Sequence, residues 1–295
     1  MLAPPERLVR HVRTAFVSDV HLGATHAQPE AFLDYLTGIQ PETLYIVGDF
    51  IDGWKIRSGI RWHPACSQIL ARLAEIIDTG TCIFYTPGNH DPFLRTDSFI
   101  SSLAGRFAGV QIADEFLFES VSGQRFLVTH GDHFDSVETG AQWLSKFSSS
   151  IYDPLLAVNR ILSRLKGKSN SSPYAFCAKI KKKVKQGVRF LSGFEDRLLD
   201  HARSQDCTGV ICGHIHTPAI LKRDGMTYCN TGDWVENCTG LVEYHDGHLS
   251  LDYYYPADAA LDNSARADTP RPANTSINAL ASSASNINVP MFDNL

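Results

Sequence analysis

The chain has 295 residues, 43% of them hydrophobic, and a formal net charge of −5 at pH 7. A chain of this size can bury a substantial core in one large domain. It has no run of 18 apolar residues, and its seven cysteines form no Cys-x-x-Cys pair. The sequence therefore predicts neither a membrane span nor a structural zinc site or disulfide framework. Residues 1–13 lack the apolar segment of a secretory signal, so we expect a cytoplasmic protein.

Five short polar motifs are the most informative part of the sequence. In chain order they are Asp19-Val20-His21, Gly48-Asp49, Gly88-Asn89-His90-Asp91, Thr129-His130-Gly131-Asp132 and Gly213-His214-Ile215-His216. Each follows a run of β-branched and aromatic residues that predicts a buried strand, at 15–17, 44–47, 82–85, 126–128 and 210–212. Because ligands collect at the carboxyl ends of strands in open α/β sheets, we expect the motifs to meet at one site.

Seven side chains of these motifs are of types that bind metals. They are Asp19, His21, Asp49, Asn89, His130, His214 and His216. A single Gly-Asp or Asp-x-His motif is more often a turn or a helix cap, but the ordered set of five indicates a metal site. Seven ligands are too many for one ion, so we predict two divalent ions that share Asp49 and leave positions for water and a phosphate oxygen. Carboxylate, imidazole and amide groups suit Mn, the preferred metal, with Fe, Zn or Mg as alternatives.

Together the five motifs resemble the calcineurin-like metallophosphoesterase superfamily over about residues 14–255. The resemblance implies an α/β fold, a four-layer αββα sandwich, and hydrolysis of phosphate esters or anhydrides. It assigns one metal to Asp19, His21, Asp49 and His216, and the other to Asp49, Asn89, His130 and His214.

A narrower resemblance concerns the segments around the motifs. They are Ser18-Asp-Val-His-Leu-Gly, Gly48-Asp-Phe-Ile-Asp-Gly-Trp, His130-Gly-Asp-His-Phe-Asp, Gly213-His-Ile-His-Thr-Pro and Asn230-Thr-Gly-Asp-Trp-Val-Glu. These segments resemble the UDP-2,3-diacylglucosamine diphosphatase group, which implies cleavage of a UDP-linked acylated sugar at its diphosphate, with release of UMP, in lipid A biosynthesis. The well-known lipid A enzymes carry Arg after the metal-binding Asn, whereas this chain has His90, as most of the superfamily does. Alternatives are a generic nucleotide or phospholipid phosphodiesterase and, outside the enzymes, a membrane- or lipid-binding protein with a vestigial metal site.

His90 and Asp91 are the predicted catalytic residues. His90 adjoins the predicted ligand Asn89 but is surplus to the metal ligands. Its imidazole can donate a proton to the leaving oxygen or stabilise the charged transition state. We expect Asp91 to hold the other imidazole nitrogen; alternatively, His90 only braces its loop.

Other polar residues near the motifs are candidate substrate contacts. Arg57 can touch a diphosphate. Asp132, His133 and Asp135 can support the metal ligands or line the substrate entrance, and Asn230 lies in a loop expected to pack against the site. Asp52 either orients a ligand or caps a helix.

The charge is distributed unevenly along the chain. Residues 143–190 carry eleven basic side chains and one acid, a net charge of +10, which leaves −15 for the remainder. Apolar spacing predicts two helices, at 151–165 and 174–191, with basic faces. We interpret 143–192 as an inserted basic helical cap over the site, in peripheral contact with the inner membrane; alternatively, its charged faces are only solvated. Lys179, Lys182 and Lys183 are its candidate substrate contacts.

The predicted organisation is a leader (1–13), a metallophosphoesterase domain (14–255) that contains the cap, and a tail (256–295). The tail is rich in Ala, Ser, Asn, Asp and Pro and lacks periodicity, which is typical of disorder. The expected partner is a phosphorylated small molecule or a lipid-linked nucleotide. The acidic remainder of the chain and the absence of a base-reading motif argue against nucleic acid.

Overall fold

The computed structural model describes residues 9–53, 62–96, 109–135 and 193–255. The described residues up to Tyr254 belong to one compact unit. Several predicted features lie outside the described residues, namely the cap at 143–192, the tail at 256–295, Arg57, Lys179, Lys182 and Lys183.

The described chain contains eleven strands, three helices and two short 3₁₀ turns. The strands are β1 (Arg10–Val17), β2 (Ile39–Val47), β3 (Cys82–Thr86), β4 (Val110–Ile112), β5 (Glu115–Glu119), β6 (Arg125–Thr129), β7 (Gly209–Cys212), β8 (Ala219–Arg223), β9 (Met226–Asn230), β10 (Thr239–Glu243) and β11 (Leu249–Tyr253). The helices are α1 (Pro29–Thr37), α2 (Pro64–Asp78) and α3 (193–204), and the 3₁₀ turns are Pro92–Arg95 and Asp132–Phe134.

The strands form two mixed sheets. The first has the order β11-β10-β1-β2-β3-β4 and the second the order β5-β6-β7-β9-β8. Strands β1, β2 and β3 run parallel to one another, as do β6, β7 and β9. The α/β sandwich predicted from the sequence is confirmed, and all five predicted strand runs lie within observed strands.

Alternating side chains of the central strands fill two separate cores. On β2, Leu44 and Ile46 face one core, while Tyr45 and Val47 face the other, as the two-residue period of a strand requires. The second core lies between the sheets, since it combines β2 residues with Phe126 of β6. Its aromatic rings pack closely: Tyr45 stacks on Phe16 with ring centroids 4.9 Å apart.

Helices cover the outer faces. Helices α1 and α2 contribute buried side chains, including Phe32 and Ile69, to the core on the outer side of the first sheet. Helix α2 begins at Pro64, whose fixed φ suits the first helical position. Helix α3 contacts strand β8 of the second sheet through an ion pair between Glu195 and Arg223, at 2.7 Å. Among the helices of the described ranges, none has the length and apolarity needed to cross a membrane.

Strand β1 begins at Arg10, inside the range 1–13 that the sequence predicted as a leader. The predicted leader therefore wrongly included the charged residues Arg10 and Arg13, which belong to β1. Arg10 pairs with Asp252 of β11 at 2.6 Å, and Arg13 pairs with Glu243 of β10 at 2.8 Å. Polar side chains paired across neighbouring strands stabilise a strand that lacks an apolar pattern.

Glu243 is a fully buried carboxylate that links the two sheets. Its Oε2 accepts hydrogen bonds from Arg13 (2.8 Å) and Thr14 (3.3 Å) in the first sheet. Its Oε1 accepts one from the backbone N–H of Val121, in the turn between β5 and β6 of the second sheet. Since a buried charge is tolerated only when it is paired, all three donors contribute to its stability.

Replacing Glu243 by Ala leaves these donors without their acceptor. We expect the Glu243→Ala variant to lose about 3 kcal/mol in the free energy of unfolding, measured by urea denaturation. The control is Glu42→Ala on β2, a position whose side chain is 66% exposed, which should change stability by less than about 0.5 kcal/mol. Equal stability of the two variants would contradict the role assigned to Glu243.

Candidate metal centre

The five polar motifs follow the ends of five strands, as the sequence predicted. Those strands are β1, β2 and β3 of the first sheet and β6 and β7 of the second. Backbone hydrogen bonds join the loops that follow them: Asp19 N–H donates to Gly48 O (3.0 Å), and Gly213 N–H donates to His130 O (3.2 Å). A hydrogen bond from His214 N–H to Asp19 Oδ2 (3.0 Å) joins the two sets of loops, so the predicted ligands of both sheets meet at one site.

Most of the predicted ligands have a left-handed backbone conformation. Positive φ values of 50–69° occur at Asp19, His21, Asp49, His214 and His216. Non-glycine residues rarely adopt this conformation, which costs about 1–3 kcal/mol where a site imposes it. These sharp turns direct the short side chains of the loops back towards the strand ends. Backbone strain therefore accompanies the convergence of the ligands.

The two carboxylate oxygens of Asp19 have different surroundings. Oδ2 accepts hydrogen bonds from Ser18 Oγ (2.5 Å) and from the backbone N–H of His214 (3.0 Å). Oδ1 is buried and has no hydrogen-bond partner. It faces the imidazole Nε2 atoms of His216, at 3.1 Å, and His21, at 3.7 Å. The protein thus fixes Asp19 through one oxygen and leaves the other for a cation.

Asp19, His21 and His216 form the first group of candidate ligands. Nε2 of His21 lies 3.4 Å from Nε2 of His216. Two ligand atoms about 2.1 Å from one ion lie about 3.0–3.4 Å apart at ordinary coordination angles. Two of the three distances in this group, 3.1 and 3.4 Å, match that spacing, and the third, 3.7 Å, exceeds it by a few tenths of an ångström. The three side chains can therefore converge on a divalent ion with a small adjustment of His21.

Asp49, His130 and His214 form the second group. His130 Nδ1 lies 2.8 Å from Val47 O, and a hydrogen bond donated there leaves the lone pair of Nε2 for a metal. Nε2 is buried without a hydrogen-bond partner and lies 3.4 Å from Asp49 Oδ2. The amide oxygen of Asn89 is likewise buried and unpartnered, as an oxygen ligand would be before metal binding.

Asp49 belongs to both halves of the site. Its Oδ1 accepts a hydrogen bond from the backbone N–H of His90 at 2.7 Å. Its Oδ2 faces His130 and, at 4.0 Å, Nε2 of His21 from the first group. This carboxylate oxygen therefore lies between the two groups, and its role as a bridge stays a prediction.

Glycine is needed beside Asp49 because the ligands pack against the backbone. A Cβ atom on Gly88 would collide with Asp49 Oδ1 and lie 2.7 Å from His130 Nε2. A Cβ atom on Gly48, which has a φ of +78°, would collide with the His130 ring. Both positions therefore exclude larger residues.

The electrostatics of the site favour added positive charge. Burial opposes ionisation of Asp19 and Asp49, but the neighbouring imidazoles outweigh it and hold both pKa values well below the usual range. Burial also opposes protonation of His130, yet the charge of Asp49 prevails and raises its pKa to about 10. Asp19 likewise raises the pKa of His216 to about 9. Divalent cations can supply the charge that protons supply in their absence.

His90 lies at the rim of the site, and its partner differs from the prediction. Its Nε2 is 4.0 Å from Asp49 Oδ2, and its ring meets that of His21 edge-on, with centroids 4.6 Å apart. Its Nδ1 lies 3.4 Å from Asp52 Oδ1. The sequence assigned this orienting role to Asp91 and left Asp52 between orienting a ligand and capping a helix. The structure places Asp52 in the orienting position.

Asp91 points into the protein instead. Its Oδ1 accepts a hydrogen bond from Gly88 N–H (2.6 Å), and its Oδ2 accepts hydrogen bonds from Phe50 N–H (2.8 Å) and from the Tyr85 hydroxyl. Burial, together with the charge of Asp49, raises the pKa of this fully enclosed carboxyl group. Asp91 therefore holds the loops of Asn89 and Asp49 together, and it does not hold the imidazole nitrogen of His90 as predicted.

Two predicted substrate contacts also have other roles. The carboxylate of Asp132 pairs with Arg95 at 3.2 Å and is largely buried; its negative charge would also repel a phosphate. Asn230 is fully buried, with its amide donating to Gly213 O (2.7 Å) and accepting from Gly232 N–H (2.9 Å). It supports the backbone before His214 and does not face a substrate.

One supporting contact was missed by the sequence reasoning. Ser18 was quoted as part of a motif, but no role was assigned to the hydroxyl that fixes Asp19. Asp135, which the sequence named as a candidate support for the metal ligands, has its Oδ2 3.4 Å from His214 Nε2. Such residues support the orientation of metal ligands.

The seven predicted ligands therefore fit a dinuclear centre, on the basis of their spacing, their unpartnered buried atoms and their donor chemistry. Their role as metal ligands stays a prediction. The donor set of imidazole, carboxylate and amide oxygen suits a divalent ion of intermediate hardness. Metal-dependent phosphoryl chemistry uses such pairs of ions.

Comparison with known proteins gives the same assignment. The Calcineurin-like phosphoesterase family matches residues 12–218. The UDP-2,3-diacylglucosamine hydrolase of Marinobacter nauticus is 30% identical over 255 residues, 83% of this chain and 99% of that protein. The enzymes of the same name from Xanthomonas campestris and Haemophilus influenzae are 30% and 24% identical, over 79% and 77% of this chain and 96% and 93% of theirs. The chain therefore belongs to the calcineurin-like phosphoesterase family.

Proposed function

We propose that this phosphoesterase cleaves the diphosphate of a UDP-linked acylated sugar of the UDP-2,3-diacylglucosamine type and releases UMP. The observation that carries the reaction type is the single oxygen, Asp49 Oδ2, which faces ligand groups of both halves of the site. The substrate rests on the relatives named UDP-2,3-diacylglucosamine hydrolase, which match over nearly their whole lengths.

The donor set defines what the bound metals contribute. The seven predicted ligands would hold two divalent ions, with Mn preferred and Fe, Zn or Mg as alternatives, which would supply Lewis acidity to the phosphoryl group and lower the pKa of water. Asp49 sets the separation of the two groups of ligands, while Asp19 and His130 are fixed by hydrogen bonds through their other polar atoms. This preorganisation reduces the rearrangement needed when charge develops on the phosphorus group.

His90 supplies the remaining catalytic group. Its side chain is 24% exposed and is surplus to the predicted ligands, so it can contact a substrate. Asp52 faces Nδ1 and leaves Nε2 directed to the side of Asp49. From that position Nε2 donates a proton to the leaving oxygen of the phosphate.

The proposed substrate also implies where the enzyme works. An acylated sugar nucleotide is held at a membrane surface by its acyl chains. A cytoplasmic enzyme acting on it makes peripheral contact with the inner membrane. The segment 143–192 is the candidate for this contact from its charge, and it lies outside the described residues.

One observation favours a second function. This chain has His90 where the well-known lipid A enzymes carry Arg. The part of the site that would contact the leaving group can therefore suit a simple nucleotide or phospholipid phosphodiester. A membrane- or lipid-binding protein with a vestigial site is disfavoured, because such a site does not need buried ligand atoms without hydrogen-bond partners, as Asp19 Oδ1, Asn89 Oδ1 and His130 Nε2 are.

The proposed substrate is tested by direct assay. With added Mn, the purified protein should release UMP from UDP-2,3-diacylglucosamine, and chelator should abolish the release. Asp49→Ala should reduce turnover by about 10²- to 10³-fold or more, whereas Asp78→Ala, at an exposed position on α2, should have no effect. Cleavage of bis(p-nitrophenyl) phosphate alone would favour the second function, and no cleavage of either compound would contradict both.

The proton-donor role of His90 predicts a dependence on the leaving group. His90→Gln should lower turnover of diphenyl phosphate, whose leaving oxygen needs a proton, by about 10²- to 10⁴-fold. Turnover of bis(p-nitrophenyl) phosphate should fall much less. Asp52→Asn should show the same pattern more weakly, and metal content should stay unchanged in both variants. An equal loss for the two esters would refute proton donation by His90.

Metal binding should depend on pH. Because the pKa values of His130 and His216 are raised to about 10 and about 9, both imidazoles bind protons at neutral pH when metal is absent. Metal must displace those protons, so apparent Mn affinity should rise as pH increases from 6 to 9. Calorimetric titrations in buffers of different ionisation enthalpy should detect proton release. Binding without proton release at pH 7 would contradict the raised pKa values of these two imidazoles.

A further inference from the structure

Arg95 joins the two loops that carry Asn89 and His130. We infer that its guanidinium is a positioning group that sets the distance between these two predicted ligands and so maintains the metal site to which both belong. The inference rests on the dinuclear centre of the proposed function. It concerns a residue that no sequence motif singled out.

The first set of contacts reaches the loop after β3. Arg95 lies at the end of the 3₁₀ turn Pro92–Arg95 and reaches back over the loop that precedes it. Its Nη2 donates a hydrogen bond to Pro87 O at 2.7 Å, and its Nη1 donates one to Gly88 O at 3.3 Å. These two carbonyl groups immediately precede Asn89, so the guanidinium fixes the backbone from which that side chain extends.

The second set of contacts reaches the other sheet. Nη2 also lies 3.2 and 3.3 Å from the two carboxylate oxygens of Asp132, two residues after His130. Nε donates a hydrogen bond to Asp114 Oδ1 at 2.8 Å. Asp114 lies between β4 of the first sheet and β5 of the second. Arg95 thus connects the first sheet with the second at the metal-binding end of their strands.

The chemistry of arginine suits this role. Its planar guanidinium offers five N–H donors in a fixed arrangement, so several acceptors on different segments are held in defined directions. An ammonium group has the same charge but no fixed plane, and Lys cannot maintain all of these contacts together. The carboxylates of Asp114 and Asp132 supply charge-assisted hydrogen bonds, which are stronger than neutral ones.

The effect should be confined to one half of the site. The contact of His130 Nδ1 with Val47 O orients that ring, but Asn89 Oδ1 and His130 Nε2 are both buried without hydrogen-bond partners, so their separation depends on the two loop backbones that carry them. The other half is held differently, since Asp19 Oδ2 is fixed by Ser18 and by the backbone N–H of His214. Loss of a supporting contact typically weakens metal binding about 10- to 100-fold.

The test measures metal binding directly. Wild-type protein, Arg95→Met and Arg95→Lys are titrated with Mn by calorimetry, and the spin coupling of the bound Mn is recorded by electron paramagnetic resonance. We expect two equivalents in the wild type. In Arg95→Met, one equivalent should bind at least about ten-fold more weakly, the other should be unchanged, and the coupled signal should give way to that of isolated Mn. Arg95→Lys should be intermediate.

Arg72 provides a matched control. Arg72 lies on α2, and its guanidinium is also largely buried. Its Nε and Nη2 lie 3.4 and 3.5 Å from the backbone carbonyl oxygens of Leu36 and Ile39. Arg72→Met should therefore leave both Mn equivalents unchanged, even if it lowers thermal stability. A loss of metal in this control equal to that in Arg95→Met would overturn the inference.

Other outcomes also decide the question. Two equivalents of wild-type affinity in Arg95→Met, or equal weakening of both, would refute a selective positioning role. Fewer than two equivalents in the wild type would instead contradict the dinuclear centre itself. If Arg95→Met does not fold, Asp132→Asn removes the paired charge at nearly the same volume and should weaken the same single equivalent. Unchanged binding in that variant would overturn the inference.

Discussion

The metal centre depends on how the protein divides the two oxygen atoms of Asp49. Oδ1 accepts the backbone N–H of His90, which fixes the plane of the carboxylate. Oδ2 accepts no such bond and faces imidazoles from both sheets. Asp19 repeats the arrangement, with one oxygen fixed by Ser18 and the other unpartnered. A charged oxygen that is buried without a hydrogen bond is unfavourable, so Asp19 Oδ1 favours a positive charge beside it.

The two sheets make this arrangement possible because neither of them contains a complete ligand group. Asp19 and His21 follow β1, whereas His216 follows β7. Asp49 follows β2, while His130 follows β6. Each group therefore spans the interface between the sheets. The separation of the ligands is set by the apolar core at that interface, whose aromatic rings are packed too closely to shift without cost.

The sequence was most informative where chemistry and strand ends coincide. Motif order and the preceding β-branched runs placed the predicted ligands correctly at the ends of five strands. The directions of side chains within the loops were not predictable in this way. Asp91 adjoins His90 in sequence, but the turn directs its carboxylate to Gly88 and Phe50. Asp52, from a different loop, faces the His90 ring instead.

The same limitation explains the other corrections. Asn230 and Asp132 lie next to motifs, and polar residues there are reasonable candidates for substrate contacts. Their roles depend on partners that are far away in sequence: Gly213 for Asn230 and Arg95 for Asp132. The start of β1 at Arg10 was missed for a related reason, because acids of β10 and β11 pair with its arginines. Long-range polar pairs leave no periodic signal in a single sequence.

These supporting contacts also suggest why the site tolerates backbone strain. Five predicted ligands have left-handed backbones, and each such residue costs about 1–3 kcal/mol. The cost persists because hydrogen bonds between loops, such as that from His21 N–H to Asp49 O at 2.9 Å, and the buried carboxylate of Asp91 determine the same conformation independently. Metal binding to the folded state alone then adds stability through mass action. Strain, unpartnered ligand atoms and the shared carboxylate are therefore three aspects of one preorganised cation site.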